Sequence, residues 1–212
     1  RITGGLAIVT VVVCMFFAMA ISACMPGDFT KDASVSESDR IGFVSEVLEK
    51  YYRNKDLGED NDLSSDVSQA ALLLLETKIE LGQMQKEILE INYQDYRIEI
   101  LPFDTEKWEE TEKGFSMTFQ VNRTWLYEDN DEITSNSELQ EVNLSKNADG
   151  SFTIESCYNL HESIDLGPID DVYKNSLQTQ DSDGIDTILN AYKAEFEKQC
   201  TEKKEQMDKD TI

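Results

Sequence analysis

The sequence predicts an α+β protein, with N-terminal helices packed on a curved antiparallel sheet of about four strands and a helix closing the chain. Three observations support this prediction. Apolar residues recur at spacings of three and four before residue 90, they alternate with polar residues from residue 96 to residue 154, and the helical spacing returns after residue 185. Helices and strands are therefore segregated along the chain, which favours helices on one face of an antiparallel sheet.

The first residues have the pattern of an export signal. The run from Leu6 to Ile21 is apolar except for Thr10, and no charge occurs between Arg1 and Asp28. A membrane-spanning helix needs roughly 20 apolar residues, whereas a shorter run suits the apolar core of a secretory signal. Because the sequence begins with Arg1, we expect part of a basic leader to precede it.

The apolar run ends in Ile21-Ser22-Ala23-Cys24, which resembles a bacterial lipobox. In that type of signal the cysteine receives a diacylglyceryl group and the chain is cut before it. The resemblance implies a signal peptide over 1–23, lipidation at Cys24 and a flexible lipidated linker over 24–37. An uncleaved anchor and a plain signal cut near Ala18-Met19-Ala20 are the alternatives. The predicted location is the outer face of a bacterial cell membrane.

Charge excludes some classes of partner. The chain has 212 residues, with 43 Asp and Glu against 19 Lys and Arg, and its formal net charge is −24. Such a charge repels phosphate backbones, so nucleic acid is not an expected partner. Residues 1–30 carry one basic and one acidic group, so the excess lies on the exported part. It favours a basic protein partner, or simply keeps the domain soluble above the membrane.

The exported part is predicted to begin with two helices. Ser36 or Ser38 can cap a helix over about 39–54. An acidic segment containing Gly58 separates it from a second helix over about 66–89. The apolar residues assigned to the buried sides of the two helices are Ile41, Val44, Val47, Leu48, Tyr51, Tyr52, Ala71, Leu74, Leu75, Leu81, Met84, Ile88 and Ile91.

Strands follow the helices. Strict alternation predicts strands over 96–100 and 115–127, the second being the clearest strand signal in the chain. A hairpin is predicted next, with Asn147-Ala148-Asp149-Gly150 as its turn. A charged helix is predicted over about 185–207.

Cysteine and histidine offer two hypotheses about chemistry. His161 is the only histidine, and a Cys157–His161 pair would supply a nucleophile and a base if the two met. Four residues of extended chain separate them by roughly 13 Å, so a solvated histidine after the last strand is the preferred interpretation. An exported compartment also permits a disulfide between Cys157 and Cys200, which would fasten the last helix to the sheet. Two independent free thiols are the alternative.

Two acidic segments partly resemble cation sites. Asp181-Ser182-Asp183-Gly184 matches part of a calcium loop, but Thr179 and Asn190 stand where acidic ligands are required. Asp183 is therefore expected to cap the last helix. The segment 128–132 is expected to form a solvated turn, with loose binding of a divalent cation as the alternative. Neither a metal site nor a cofactor is predicted.

A set of diffuse motifs resembles a known protein region. They are Tyr51-Tyr52, Tyr96-Arg97-Ile98-Glu99-Ile100, Trp125-Leu126-Tyr127-Glu128-Asp129, His161-Glu162-Ser163-Ile164-Asp165 and the charged helix from Ile185. Together, over about 37–207, they are similar to the N-terminal α+β region of exported amidase-domain proteins of low-GC Gram-positive bacteria. That resemblance implies a cone similar to the cystatin-like fold of the nuclear transport factor superfamily. The motif of the family's papain-like catalytic domain does not occur before Ile212, since Cys200 lies in Gln199-Cys200-Thr201 and not in an Asp-Cys-x-Asn-Phe context, so the resemblance implies no catalytic residue here.

The expected organisation is a cone-like α+β domain over 38–165, followed by a linker and charged helix over 166–212. We expect a non-catalytic cell-surface lipoprotein whose domain binds a protein partner or serves as the accessory half of a cell-wall enzyme system. One alternative is the N-terminal part of a cell-wall amidase, which the reading frame beyond Ile212 would decide. Another is a small-ligand binder with a pocket on the sheet face near Trp108 or Trp125.

Overall fold

The structure, a computed structural model, describes residues 36–111, 114–127, 133–160, 169–179 and 182–210. Within these ranges it confirms the α+β fold, with four helices and a five-stranded antiparallel sheet. The elements are α1 (Glu37–Leu57), α2 (Gln69–Ile88), β1 (Tyr93–Phe103), a 3-10 turn (Thr105–Lys107), β2 (Glu109–Thr111), β3 (Gly114–Tyr127), β4 (Ile133–Lys146), β5 (Phe152–Asn159), α3 (Ile169–Thr179) and α4 (Ser182–Asp210). The predicted signal peptide and Cys24 lie outside the described residues.

Local sequence determines where α1 begins and ends. The Ser36 hydroxyl accepts a hydrogen bond from the Asp39 backbone N–H at 3.2 Å, and the Asp39 carboxylate accepts one from the Ser36 N–H at 3.1 Å. This reciprocal pair is a capping box. At the other end Gly58 adopts a φ of 74°, a left-handed conformation that suits glycine and stops the helix. The last turn extends beyond the predicted end and contains the buried residues Lys55 and Asp56.

The sheet is built around β3 and β4. Its strand order is β1-β3-β4-β5, with β2 paired to the beginning of β3. β3 and β4 pair from Gly114 opposite Ser145 to Leu126 opposite Ile133. One face of the sheet packs against α1 and α2. The buried residues of this main core are Val44, Val47, Leu48, Tyr51, Tyr52, Leu63, Val67, Ala71, Leu75, Met117, Phe119, Val121, Val142, Leu144, Ile154 and Cys157.

A β-bulge in β5 changes the face of the sheet on which Cys157 lies. The pairing register shifts between Asn143 and Leu144, so Glu155 is an extra residue of β5 without a partner opposite it. Strict alternation places Cys157 and Ile154 on opposite faces of the sheet. The bulge instead returns Cys157 to the inner face, where the residue is 2% exposed.

One helix lies where the sequence pattern predicts none. The segment predicted to link the sheet to the last helix contains α3. α3 and α4 pack with α2 to form a second apolar cluster. Its buried residues are Leu74, Leu81, Ile169, Tyr173, Ile185, Leu189, Phe196 and Cys200. None of the helices in the described ranges has the length and hydropathy that crossing a bilayer requires.

Candidate functional site

A charged residue occupies the middle of the apolar side of β3. Met117, Phe119, Val121 and Trp125 face the helices at alternate positions, and Arg123 shares their parity. Its side chain is therefore directed into the interior and is 1% exposed. A buried charge is strongly disfavoured unless it is paired and hydrogen-bonded, so its partners identify a specific site.

Arg123 binds two carboxylates on different elements. Its Nη1 donates to both carboxylate oxygens of Asp56 at 3.0 and 2.9 Å, and its Nη2 donates to Oε1 of Glu138. The rings of Tyr52 and Trp125 pack against the guanidinium, with centroids 4.7 and 4.9 Å from its central carbon. Both pairing and cation–π contact hold the guanidinium in one position.

Glu138 on β4 is the most connected member of the network. Its side chain accepts hydrogen bonds from the Tyr52 hydroxyl at 2.8 Å, Asn136 at 3.0 Å, Asn159 at 3.2 Å and Gln140 at 3.4 Å. The Gln140 amide also donates to the Tyr52 hydroxyl at 2.8 Å. Together with Arg123 of β3, these donors come from the helix α1 and from strands β4 and β5, so this carboxylate joins the helix layer to the sheet.

The charges in the network stabilise one another. Burial alone would raise the pKa of Glu138, but the positive charges of Lys55 and Arg123 and the Tyr52 hydrogen bond outweigh it, so the pKa lies below its usual value. Burial would lower the pKa of Arg123, yet the charges of Asp56 and Glu138 raise it. Both side chains are therefore ionised at neutral pH.

The polar network continues to a second buried ion pair. Asn159, which donates its side-chain amide to Glu138, also donates its backbone N–H to Asp170 of α3 at 2.6 Å. Asp170 in turn pairs with Lys78 of α2, with 2.5 Å between Nζ and Oδ1. Among the residues that the structure describes, the buried charges balance, because three cations face three carboxylates. They are Lys55, Lys78, Arg123, Asp56, Glu138 and Asp170.

The two thiols considered for a disulfide lie in different parts of the molecule. Cys157 belongs to the main core and Cys200 to the second cluster, and the structure records both as free, buried thiols. No bond joins them here. Cys157 donates to the amide oxygen of Gln140 at 3.4 Å, and burial raises its pKa to about 12. Because a thiolate is the nucleophilic form, this thiol is unreactive at neutral pH.

Other sequence-based candidates fall outside the site. His161, the acidic segment 128–132 and Asp181 lie outside the described residues. Trp108 stacks on Phe119 with ring centroids 5.7 Å apart and donates its indole N–H to a backbone carbonyl at 3.1 Å. In the ranges that the structure describes, no group of three or more side chains could hold a metal ion.

The network was not predicted from the sequence, although part of its signal is present in the strand pattern. Arg123 interrupts an apolar face of β3, and Glu138 and Gln140 share the parity of the apolar Val142 and Leu144 on β4. A buried arginine on one strand and a buried glutamate on its neighbour would have suggested a pair. Their contact with Asp56 depends on where the end of α1 meets the sheet, which the sequence pattern does not contain.

The other face of the sheet has an unusual composition. Charged residues make up 29% of the chain, yet among the outward positions of β3 and β4 in the described ranges Glu141 is the only one. We call this surface the outer face. Its residues on these two strands are Ser116, Thr118, Gln120, Asn122, Thr124, Leu126, Ile133, Ser135, Ser137, Leu139, Glu141, Asn143 and Ser145.

Side chains on the outer face are tied to one another and flanked by apolar groups. Gln120 donates to Asn122 at 3.0 Å and to Ser137 at 2.9 Å. Leu101 and Phe103 of β1 lie on the same face and are 41% and 38% exposed. On the same side β1 also presents Glu99, which accepts a hydrogen bond from Asn122 at 3.3 Å, and the exposed Arg97. The outer face is thus a hydroxyl and amide surface whose margin on β1 is partly apolar and partly charged.

Comparison with known proteins gives no family for this chain. No protein-family model matches it, and neither a curated protein nor a solved structure matches it. The resemblance to the N-terminal region of amidase-domain proteins therefore stays a prediction. What the chain does has to be inferred from its own residues.

Proposed function

We propose that this chain is a non-catalytic bacterial cell-surface lipoprotein, anchored through Cys24, whose α+β domain binds a basic protein with its outer face. The observation that carries the proposal is the near absence of charge on the outward positions of β3 and β4 in a chain of net charge −24. The cores of protein–protein interfaces are depleted in charged residues, because such residues are expensive to desolvate.

The interior supports binding rather than catalysis. General acid–base catalysts need a pKa near the operating pH. In this network the opposite holds, since the pKa of Glu138 is lowered and that of the Cys157 thiol is raised to about 12. The buried charges balance one another, and their side chains hold the helices on the sheet. The contacts with a partner are therefore assigned to the surface.

Charge favours a basic partner. A strongly acidic domain attracts cationic proteins over distances longer than direct contact and raises their rate of association. Contact on the outer face then buries few carboxylates, because Glu141 is the one charged residue on the outward positions of β3 and β4 in the described ranges. Leu101, Phe103 and Ile133 supply the apolar part of this surface, and Ile133 is 71% exposed.

The membrane anchor rests on the apolar run that ends at Cys24. We expect the full chain, expressed in a Gram-positive host, to incorporate a clickable palmitate. Cys24→Ser should lose the label, while Cys200→Ser, which alters a buried thiol in the second cluster, should keep it. A label that survives Cys24→Ser would contradict the proposed anchor without bearing on the outer face.

Site-specific photo-crosslinking in cells tests the binding surface. A benzophenone side chain at Ser137 lies on the outer face, and one at Glu202 lies on an exposed part of α4. We expect Ser137 to give one defined adduct with a protein of positive net charge, and Glu202 to give none. Thr118→Arg, a neighbour on the same face, should abolish that adduct by placing a charge in the contact.

Two results would refute the proposal. Equal labelling of the same proteins from Ser137 and Glu202 would show that the outer face is not selective. Release of soluble products from purified cell-wall material by the chain would show that it is catalytic.

A further inference from the structure

A small cleft opens beside the buried network, where α1 and α2 meet the beginning of β1 and the end of β3. Its volume is about 40 Å³. Lys55, Asp56, Arg123 and Trp125 form its buried floor, and the half-buried Lys86 and Tyr93 stand at its rim. One water-sized group occupies roughly 10–15 Å³ on this measure, so the cleft has room for about three heavy atoms.

Two hydrogen-bond donors in the floor have no acceptor. The Nε of Arg123 and the indole Nε1 of Trp125 are buried and find no hydrogen-bond partner among the residues that the structure describes. Leaving such a donor unsatisfied costs about 1–3 kcal/mol, and native proteins therefore rarely do so. Both residues line the cleft, but each nitrogen is shielded from a water-sized group, so an acceptor in the cleft reaches them only when the surrounding side chains shift.

The charge around the cleft is positive, against the trend of the whole chain. Lys55, Lys86 and Arg123 outnumber Asp56 and Glu138 by one charge, even when Glu138 behind the floor is included. The oxygens of Asp56 already accept from Arg123 and from the Tyr96 hydroxyl at 2.9 Å. An anion in the cleft would therefore meet donors rather than a competing free carboxylate.

The side chain of Lys86 stands at the rim of the cleft and is held there only weakly. Its Nζ lies 5.2 Å from the centroid of the Tyr93 ring, which is a weak contact at the protein surface. Gly82 keeps the adjacent turn of α2 close to α1, since a β-carbon there would lie 2.5 Å from Cγ of Lys55. The close approach of α1 and α2 at Gly82 thus brings Lys55 and Lys86 to the same cleft.

We infer that this cleft binds a single carboxylate group, whose oxygens accept from Nε of Arg123 and Nε1 of Trp125 while Lys86 supplies the opposing charge at the rim. Two donors that belong to the lining of one cleft can give one hydrogen bond to each oxygen of a carboxylate. The carboxylate belongs either to a small organic acid or to the C-terminus of a peptide. An extended peptide running antiparallel to β1 would bring its C-terminus to the Tyr93 end, which is where the cleft lies. This inference is independent of the outer face.

Nuclear magnetic resonance of the two indole groups tests the site directly. The chain has two tryptophans, so labelling with ¹⁵N-tryptophan in the full chain in detergent gives one resonance for Trp125 and one for Trp108. Trp108 is an internal control, because its indole already donates to the Phe103 carbonyl. Sodium chloride is replaced stepwise by sodium acetate at constant ionic strength, and acetamide serves as the neutral analogue.

We expect the Trp125 indole resonance to shift saturably with acetate, while acetamide has no effect and Trp108 does not respond. Triglycine with a free C-terminus should bind more tightly than acetate if the natural ligand is a peptide, and amidated triglycine should not bind. Equal affinity for acetate and triglycine assigns the site to a small acid.

Matched lysine variants complete the test. Lys86→Gln should weaken acetate binding about threefold, as expected for a partly exposed charge. Lys174→Gln removes a lysine of α3 whose Nζ lies 4.0 Å from the centroid of the Tyr158 ring, in another part of the protein. It should leave the affinity for acetate unchanged. An unresponsive Trp125 resonance, an equal response to acetamide, or equal losses in the two variants would overturn the inference.

Discussion

Replacing Arg123 by methionine removes the guanidinium that joins Asp56 to Glu138. Methionine keeps an unbranched side chain between Tyr52 and Trp125, so most of the packing is retained. The charge is lost, and two carboxylates remain in the interior with side-chain exposures of 8% and 7%.

The expected loss of stability is large. Removing one partner of a buried ion pair destabilises a protein by about 3–5 kcal/mol, because the remaining charge is neither solvated nor paired. Lys55 still lies 3.9 Å from Asp56 and compensates part of the charge. The free energy of unfolding of a typical domain is only about 5–15 kcal/mol. Arg123→Met should therefore unfold at a much lower urea concentration than the wild type.

The loss should depend on pH in a definite direction. The pKa of Glu138 in the folded protein is below its unfolded value of about 4.5, so its contribution is fully present above that value and is lost as pH falls through the folded pKa. Without Arg123, burial dominates and the pKa of the carboxylate rises. The difference in unfolding free energy between wild type and Arg123→Met should therefore be larger at about pH 7 than at about pH 4.

Urea unfolding followed by tryptophan fluorescence and circular dichroism measures both quantities. Arg97→Met is the matched control, since Arg97 is 80% exposed and pairs with Asp95 at the surface, and its loss should stay below about 1 kcal/mol. If Arg123→Met does not fold, Glu138→Gln gives a milder test, because the amide keeps several of the hydrogen bonds. A loss no larger than that of Arg97→Met, or one that does not change with pH, would refute the argument.

Three further predictions concern the packing around this network. Gly82→Ala should destabilise the protein, because the new β-carbon would lie 2.5 Å from Cγ of Lys55. Gly42→Ala has no atom within 4 Å of the new β-carbon and should stabilise the protein by about 1 kcal/mol through helix propensity. Equal urea midpoints for the two variants would contradict this prediction. The Cys157 thiol should react with iodoacetamide only after unfolding. Because its pKa rises from 9.0 to about 12 on folding, up to about 4 kcal/mol of stability should be lost as pH rises through that interval, and Cys157→Ala should flatten this alkaline decline. Lys78→Met should leave Asp170 of α3 without its cation, so the amides of α3 should exchange hydrogen faster while those of β3 change less. An unchanged exchange rate in α3 would argue against a stabilising ion pair.

The network also bears on strand register. A slip of one residue between β3 and its neighbours would turn Arg123 to the outer face and bring polar residues into the core. Buried charges seldom add net stability, but they penalise wrong pairings severely. Burying Arg123 costs desolvation free energy, but it favours the observed strand register over registers shifted by one residue.

The elements that could be predicted from the sequence are those whose causes are local. The capping pair of Ser36 and Asp39, the left-handed Gly58 and the strict alternation of β3 each depend on neighbours a few residues away. They predict the α+β fold and the order of its main elements. The short helix α3 escaped this reasoning because its apolar pattern spans only 11 residues and its stability comes from packing on α2 and α4.

Which side chains contact one another follows from the three-dimensional packing and could not be predicted from the sequence. Arg123 contacts Asp56 across 67 residues and Glu138 across 15 residues of the chain, and the β-bulge at Glu155 reversed the face on which Cys157 lies. The cleft likewise draws its lining from α1, α2, β1 and β3. Periodicity records which side of an element is buried, because that follows from backbone geometry. It does not record what stands opposite, since that depends on strand register and on how the helices cross the sheet.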